Sequence, residues 1–185
     1  MFKKSARGFT FIELLIVVTI IGILVMIVVY FFINPVEILK RARDTTRLTD
    51  LQNLKQAITV TMAEQDGSNL VCFGGDLGCT DKSNSSSTTK KLSDGSGWVK
   101  INLKDNSSIP MPTLPLDPSN NGTYHYTYCG VFADGEYWEI NTVLESKQES
   151  PKMLNINDGG NEDDKYELGS SLAIIAPEGQ GNCIY

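Results

Sequence analysis

Apolar and polar positions divide this chain into stretches with different periods. From Phe9 to Ile33 it runs 25 residues with one charge, Glu13, and no polar face. At about 1.5 Å per residue a helix of that length spans roughly 37 Å, enough to cross a bilayer core with tilt. A cleavable secretory signal would have an apolar region of about 7–15 residues ending in a small-x-small site. Here the run is longer and continues into Asn34-Pro35-Val36-Glu37, so the segment is predicted to be retained.

Proline removes a backbone hydrogen bond and clashes with the preceding turn, so Asn34-Pro35 predicts a kink or short unwound stretch near 31–35. A helical stripe then resumes, with Leu48, Leu51, Leu54, Ile58 and Met62 at spacings of 3, 3, 4 and 4. Arg41, Arg47, Asp50, Asn53, Gln56 and Glu64 fall on the other faces. The basic run Arg41, Arg43 and Asp44-Thr45-Thr46-Arg47 reads as a solvated helix face or a subunit contact. Gln65-Asp66-Gly67 ends the pattern, with Gly67 as a cap. The expectation is one long helix, roughly 9–65, bent near Pro35, whose second half needs a sheet over its apolar face.

The remainder is strand-like. Residues 68–97 are rich in Ser, Thr, Asn and Gly and read as a variable surface loop. Trp98-Val99-Lys100-Ile101-Asn102-Leu103 alternates and predicts a strand. The four prolines in 109–118 cannot sustain a ladder. Segments 123–133 and 136–145, joined at Asp134-Gly135, predict a hairpin. Lys165–Leu168 and Leu172–Ala176 predict short strands. The fold class is α+β: a long N-terminal helix packed on a small antiparallel sheet of three to five strands. Its organisation is a basic start at 1–8, an apolar helix at 9–33, an amphipathic continuation at 34–66, and a β-rich head at 67–185 containing the loop 68–97.

Charge is unevenly placed. Residues 1–8 hold Lys3, Lys4 and Arg7 without an acid, whereas 67–185 hold 8 Lys/Arg against 16 Asp/Glu, a net of −8. An acidic head argues against nucleic acid as its main partner, because phosphate needs a basic face. Four cysteines, Cys72, Cys79, Cys129 and Cys183, all follow the apolar run. In an exported chain they read as two disulfides, among three connectivities, with free thiols or a zinc site as alternatives. Cys72–Cys79 as a local loop and Cys129–Cys183 as a tie on the last residues is the favoured pairing. A carboxylate at the centre of an apolar span costs about 2.5–3.5 kcal/mol to insert, and less near an end. Glu13 therefore either reaches the interface or finds a cation, such as a free α-amine in a neighbouring chain.

Lys3-Lys4-Ser5-Ala6-Arg7-Gly8-Phe9-Thr10-Phe11-Ile12-Glu13-Leu14-Leu15 resembles the prepilin peptidase motif of type IV pilins and type II secretion pseudopilins. The resemblance implies that 1–8 is a leader peptide, cut between Gly8 and Phe9 by a prepilin peptidase. Phe9 would then be N-methylated and its amine would pair with Glu13 of an adjacent subunit. It further implies a filament of copies of this chain with other pilins, an assembly ATPase and an inner-membrane platform protein. The short basic end would face the cytoplasm, and the head would lie outside, in a surface pilus or a periplasmic pseudopilus. Leu114-Pro115-Leu116-Asp117-Pro118 with Tyr124-His125-Tyr126-Thr127-Tyr128 is similar, more weakly, to a stretch of major pseudopilins. Those proteins bind calcium in the head, so the acidic run 157–164 is weighed as a Ca2+ site using Asp158, Asp163 and Asp164 with Asp117 as a distant donor; a solvated acidic turn is the alternative. His125, the single histidine, has no nucleophile arranged beside it, so a structural rather than enzymatic role is expected. The rival from another class is a membrane-anchored binding protein or hydrolase acting as a monomer.

Overall fold

The computed structural model describes residues 8–32, 34–65, 70–71, 83–85, 91–132, 135–175 and 183. The chain forms two compact units, one up to Ile38 and one from Leu39 on.

The first unit is built on α1 (Phe11–Phe32), 22 residues long. Its segment Phe11–Tyr30 has a mean hydropathy of 3.2 and none of it is buried within the chain. Bare apolar surface all round is what a bilayer or a bundle of like helices covers, and water does not. By length and composition the helix can cross a membrane.

The helix expected over 9–65 is interrupted at Asn34, inside the stretch expected to kink or unwind, and so forms two helices. The second, α2 (Pro35–Glu64), starts at the proline itself. Asn34 is its cap: Oδ1 accepts the N–H of Glu37 at 3.3 Å, and the Asn34 carbonyl accepts the N–H of Ile38 at 3.2 Å. Proline is favoured at the first helical position, where its missing N–H has no intrahelical partner to lose. Asn-Pro here initiates a helix.

From Leu39 on, α2 is the backbone of the head. A four-stranded antiparallel sheet runs in the order β1 (Ser83–Asn84), β2 (Thr127–Phe132), β3 (Glu136–Thr142) and β4 (Tyr166–Gly169). The expected hairpin is present, with Phe132 opposite Glu136 and Thr127 opposite Asn141. Alternation divides the strands. Tyr128, Trp138, Ile140 and Leu168 join Leu51, Leu54, Ala57 and Ile58 of α2 in one core, which also takes Trp98, Ile101, Leu103 and Leu114. Cys129 and Val131 face the other way and form a second cluster with Ile174, Ile175 and Cys183.

Three strand expectations are corrected. Trp98–Leu103 alternates and buries its apolar residues, but among the described residues it pairs through one bridge only, Asp94 with Asn102. The N–H groups of Leu103 and Lys104 both turn to the Ser93 carbonyl, which ends any ladder. Strand β1 lies inside the stretch read as a loop. Within 172–175, only Ile175 pairs, through a single bridge to Cys183. The short helical pieces Ser150–Met153 and α3 (Asn155–Asp158) carry the chain from β3 to β4.

Gly169 marks the closest approach of two strands. A Cβ there would lie 2.3 Å from the Trp138 carbonyl oxygen and 3.0 Å from the Glu139 Cα. Both are backbone atoms of a central strand and cannot rotate away. Gly169→Ala is expected to cost about 2–3 kcal/mol through this overlap. Urea unfolding of the variant measures it, and a wild-type midpoint would rule the overlap out.

Candidate functional site

The segment that precedes α1 is irregular and exposed at Gly8, Phe9 and Thr10. The bond between Gly8 and Phe9 therefore lies outside helical structure, where a peptidase can reach it. A Cβ at Gly8 would meet nothing within 4 Å.

Thr10 and Glu13 close a reciprocal cap on α1. The Glu13 Oε2 accepts the backbone N–H and the hydroxyl of Thr10, each at 2.8 Å, and Thr10 Oγ1 accepts the N–H of Glu13 at 3.3 Å. Two otherwise orphaned helix-start donors are satisfied in one unit. Thr10 is a capping residue, and its signal is the Thr-x-x-Glu spacing just before an apolar run. Among the described residues, Glu13 Oε1 receives no donor, so the carboxylate keeps one face open to a cation from outside the chain.

The basic run on α2 is exposed at Arg41, Thr45 and Thr46, as a solvated face would be, but that reading is corrected at Asp44 and Arg47. Arg47 and Asp44 are completely buried. The Arg47 Nε donates to Asp117 Oδ2 at 2.6 Å, Nη1 to Asp44 Oδ1 at 2.8 Å, and Nη2 lies 2.6 Å from Glu145 Oε1. Its guanidinium also sits over the Tyr124 ring, 5.0 Å from the centroid. Arg43 clamps Glu145 with two bonds, 2.9 and 2.6 Å. Remaining acceptor capacity is met by main chain: Asp44 takes the N–H of Glu145 and of Ser146, and Asp117 takes those of Ser119 and Asn120. The helix thereby fixes two loops of the head. Its two arginines hold the Glu145 carboxyl down to about 2, first through the Arg43 bonds and then through Arg47.

The face of the sheet away from α2 holds a second polar device. Glu139 of β3 is fully buried, and its Oε2 accepts the N–H of Ile174 at 3.1 Å and of Ile175 at 3.0 Å. Neighbouring Glu167 on β4 is also fully buried and accepts the N–H of Glu162 through Oε2 at 3.1 Å. Among the described residues, Oε1 of Glu139 has no hydrogen-bond partner. Burial first, and the neighbouring Glu167 carboxyl after it, push the Glu139 carboxyl well above the usual range. A raised folded value makes its contribution complete below the unfolded carboxylate range, and that contribution is lost as pH rises through the folded value. Glu139→Gln, a neutral mimic of the acid, should flatten the fall of stability on the alkaline side. Melting temperatures measured across pH check this; an unaltered alkaline slope would mean that another group sets it.

The Cys129–Cys183 disulfide is present, with its Cα atoms 6.0 Å apart. Cys72 and Cys79 lie outside the described residues. The four aspartates weighed for Ca2+ are not gathered. Asp117 is bonded to Arg47. Asp158 accepts the N–H of Gly160 and of Glu167, and Asp163 accepts that of Asn155. Asp164 is exposed. Among the described residues, no three Asp, Glu, His or Cys side chains form a group that could hold a metal ion. His125 lies just before β2, its Nδ1 3.1 Å from the Asn121 carbonyl oxygen. It lines a polar cavity of about 20 Å³ with Thr127, Asn141 and Lys165, room for a single water beside the unpartnered Asn141 Nδ2.

A solitary, uncovered apolar helix followed by an α+β head is a pilin-like architecture. The sequence supports the class directly: residues 3–29 match the prokaryotic N-terminal methylation motif, the signature of type IV pilins and pseudopilins. Neither a curated protein nor a solved structure matches the chain.

Proposed function

We propose that the chain is a structural, non-enzymatic subunit of a type IV pilus or pilus-like filament. The observation that carries this reading is the methylation motif with a capped Glu13 inside it, four residues after Phe9. Prepilin peptidase cuts after Gly8, the Phe9 amine is methylated and stays cationic, and α1 becomes the polymer core. In a low-dielectric bundle a lone carboxylate is costly and a lone ammonium equally so. Pairing Glu13 Oε1 with the Phe9 amine of the next subunit removes both costs and fixes the axial register. Because Oε2 is occupied by Thr10, the helix start need not unwind to make this bond. The head, outside the cytoplasm, supplies the filament surface. An assembly ATPase and a membrane platform protein from the same cell drive the polymer.

Glu13→Ala should leave membrane insertion intact and reduce filaments below detection. Fractionation and electron microscopy of sheared filaments read the two separately. Intact mass should show loss of residues 1–8 and gain of one methyl group. A full-length, unmethylated chain in cells containing the peptidase, with normal behaviour of Glu13→Ala, would return the anchored monomer as the working reading.

A further inference from the structure

The loop between Asp117 and β2 carries the one Asn-Gly pair in the sequence, Asn121-Gly122. Both residues are exposed. The Asn121 side-chain carbonyl accepts two backbone N–H groups, from Thr123 at 3.0 Å and Tyr124 at 2.9 Å. The Asn121 N–H returns to the Tyr124 carbonyl at 2.9 Å, closing the turn. Among the described residues, nothing accepts the N–H of Gly122 or the side-chain NH2 of Asn121. A Cβ on Gly122 would meet nothing within 4 Å, so its backbone has space to move.

We propose that Asn121-Gly122 is a self-modification site, at which the folded head converts Asn121 to aspartate or isoaspartate without an enzyme. The Gly122 backbone nitrogen attacks Cγ of Asn121. A nitrogen–Cγ bond forms, the Cγ–Nδ2 bond breaks, and ammonia leaves with the proton the Gly122 nitrogen gives up. Water then opens the resulting succinimide at either carbonyl. No redox partner is needed. Three features of the loop favour the step. The nucleophilic nitrogen is not held by a hydrogen bond. It belongs to the residue with the least steric obstruction. The two N–H groups on Oδ1 stand where negative charge develops on attack, the arrangement that stabilises an oxyanion.

The product alters the head at a defined place. It introduces a carboxylate, and as isoaspartate it also lengthens the main chain by a methylene inside the turn. That turn leads directly into Tyr124, which packs on the Arg47 guanidinium. Unmodified and modified subunits would thus differ in charge and loop geometry, in proportion to the age of the protein. The inference stands whether or not the chain assembles into filaments.

The test follows the full chain in detergent micelles, in mildly alkaline buffer, by peptide mapping with mass spectrometry. The Asn121 peptide should show loss of ammonia, followed by a net gain of about one mass unit. A β-branched residue at 122 hinders closure, so Gly122→Val should slow the change about tenfold. The native chain should react at least as fast as the same chain in urea. An Asn121 that stays unchanged, or one that reacts much more slowly folded than in urea, overturns the proposal. The native-to-urea comparison uses only wild-type protein and decides the matter even if Gly122→Val folds poorly.

Discussion

Replacing Arg47 with alanine is expected to destabilise the head by about 3–5 kcal/mol, the scale for removing one partner of a buried ion cluster. The magnitude comes from what is left behind rather than from what is lost. Asp44 and Asp117 would remain in the interior without the cation that faces them, and Glu145 would keep Arg43 alone. On a domain of this size that loss moves the melting midpoint by on the order of 10 °C. Arg47→Lys should recover only part of it, because one ammonium cannot reproduce the Nε and Nη bonds made to Asp117, Asp44 and Glu145 together. The cluster also has a pH signature. Glu145 has a depressed folded value, so its contribution is present above the unfolded carboxylate range and is lost as pH falls through about 2. Wild-type protein should therefore keep this part of its stability well into acid. Thermal melts of both variants at neutral and acidic pH test the account. An Arg47→Ala midpoint within a degree or two of wild type would show that water reaches the cluster and screens it.

Breaking the Cys129–Cys183 bond should cost about 4 kcal/mol, the chain-entropy estimate for a loop of this length. The cysteines are 54 residues apart in sequence. The bond ties the last described residue to the central hairpin, on the face away from α2, so the loss should be local in character. Backbone amides of Ile174 and Ile175, which donate to Glu139, should lose exchange protection first. The α2 core should follow only at global unfolding. A Cys129→Ser/Cys183→Ser double variant avoids a stray thiol, and denaturant titration with hydrogen exchange reads both quantities. Equal loss of protection on both faces of the sheet would contradict the local picture. Because the disulfide and the Arg47 cluster share no side chain, combining the variants should give nearly additive losses.

Much of this architecture is legible in the residues because its signals are local. An unbroken apolar run and a basic start with Gly8, Phe9 and Glu13 in fixed spacing need only neighbouring positions to be recognised. The hairpin is legible for the same reason: two aromatic-rich runs flank a Gly-containing turn. Caps are equally local, and both Thr10-x-x-Glu13 and Asn34-Pro35 are signals carried by neighbouring positions.

Other features were not available from local pattern. Trp98–Leu103 has the alternation of a strand, but a strand needs a partner edge, and only the fold shows that none of the described strands runs alongside it. The buried stripe of α2 extends back from Leu51 through Arg47 to Asp44 with helical spacing. A charged residue at such a position reads as solvated unless its partners are known, and Asp117 and Glu145 stand far off in sequence. Glu139 and Glu167 pose the same problem on the sheet. Each looks like a surface acid in isolation. They become a buried pair because β3 and β4 align and the N–H groups of Ile174 and Ile175 meet Glu139 there. The sequence by itself determined the membrane-length helix, its processing motif and the α+β class, since apolar periodicity and short motifs are properties of neighbours. The tertiary structure alone decided which charges are buried, because burying a charge is tolerable only where distant parts of the chain bring opposite charges and backbone donors to meet it.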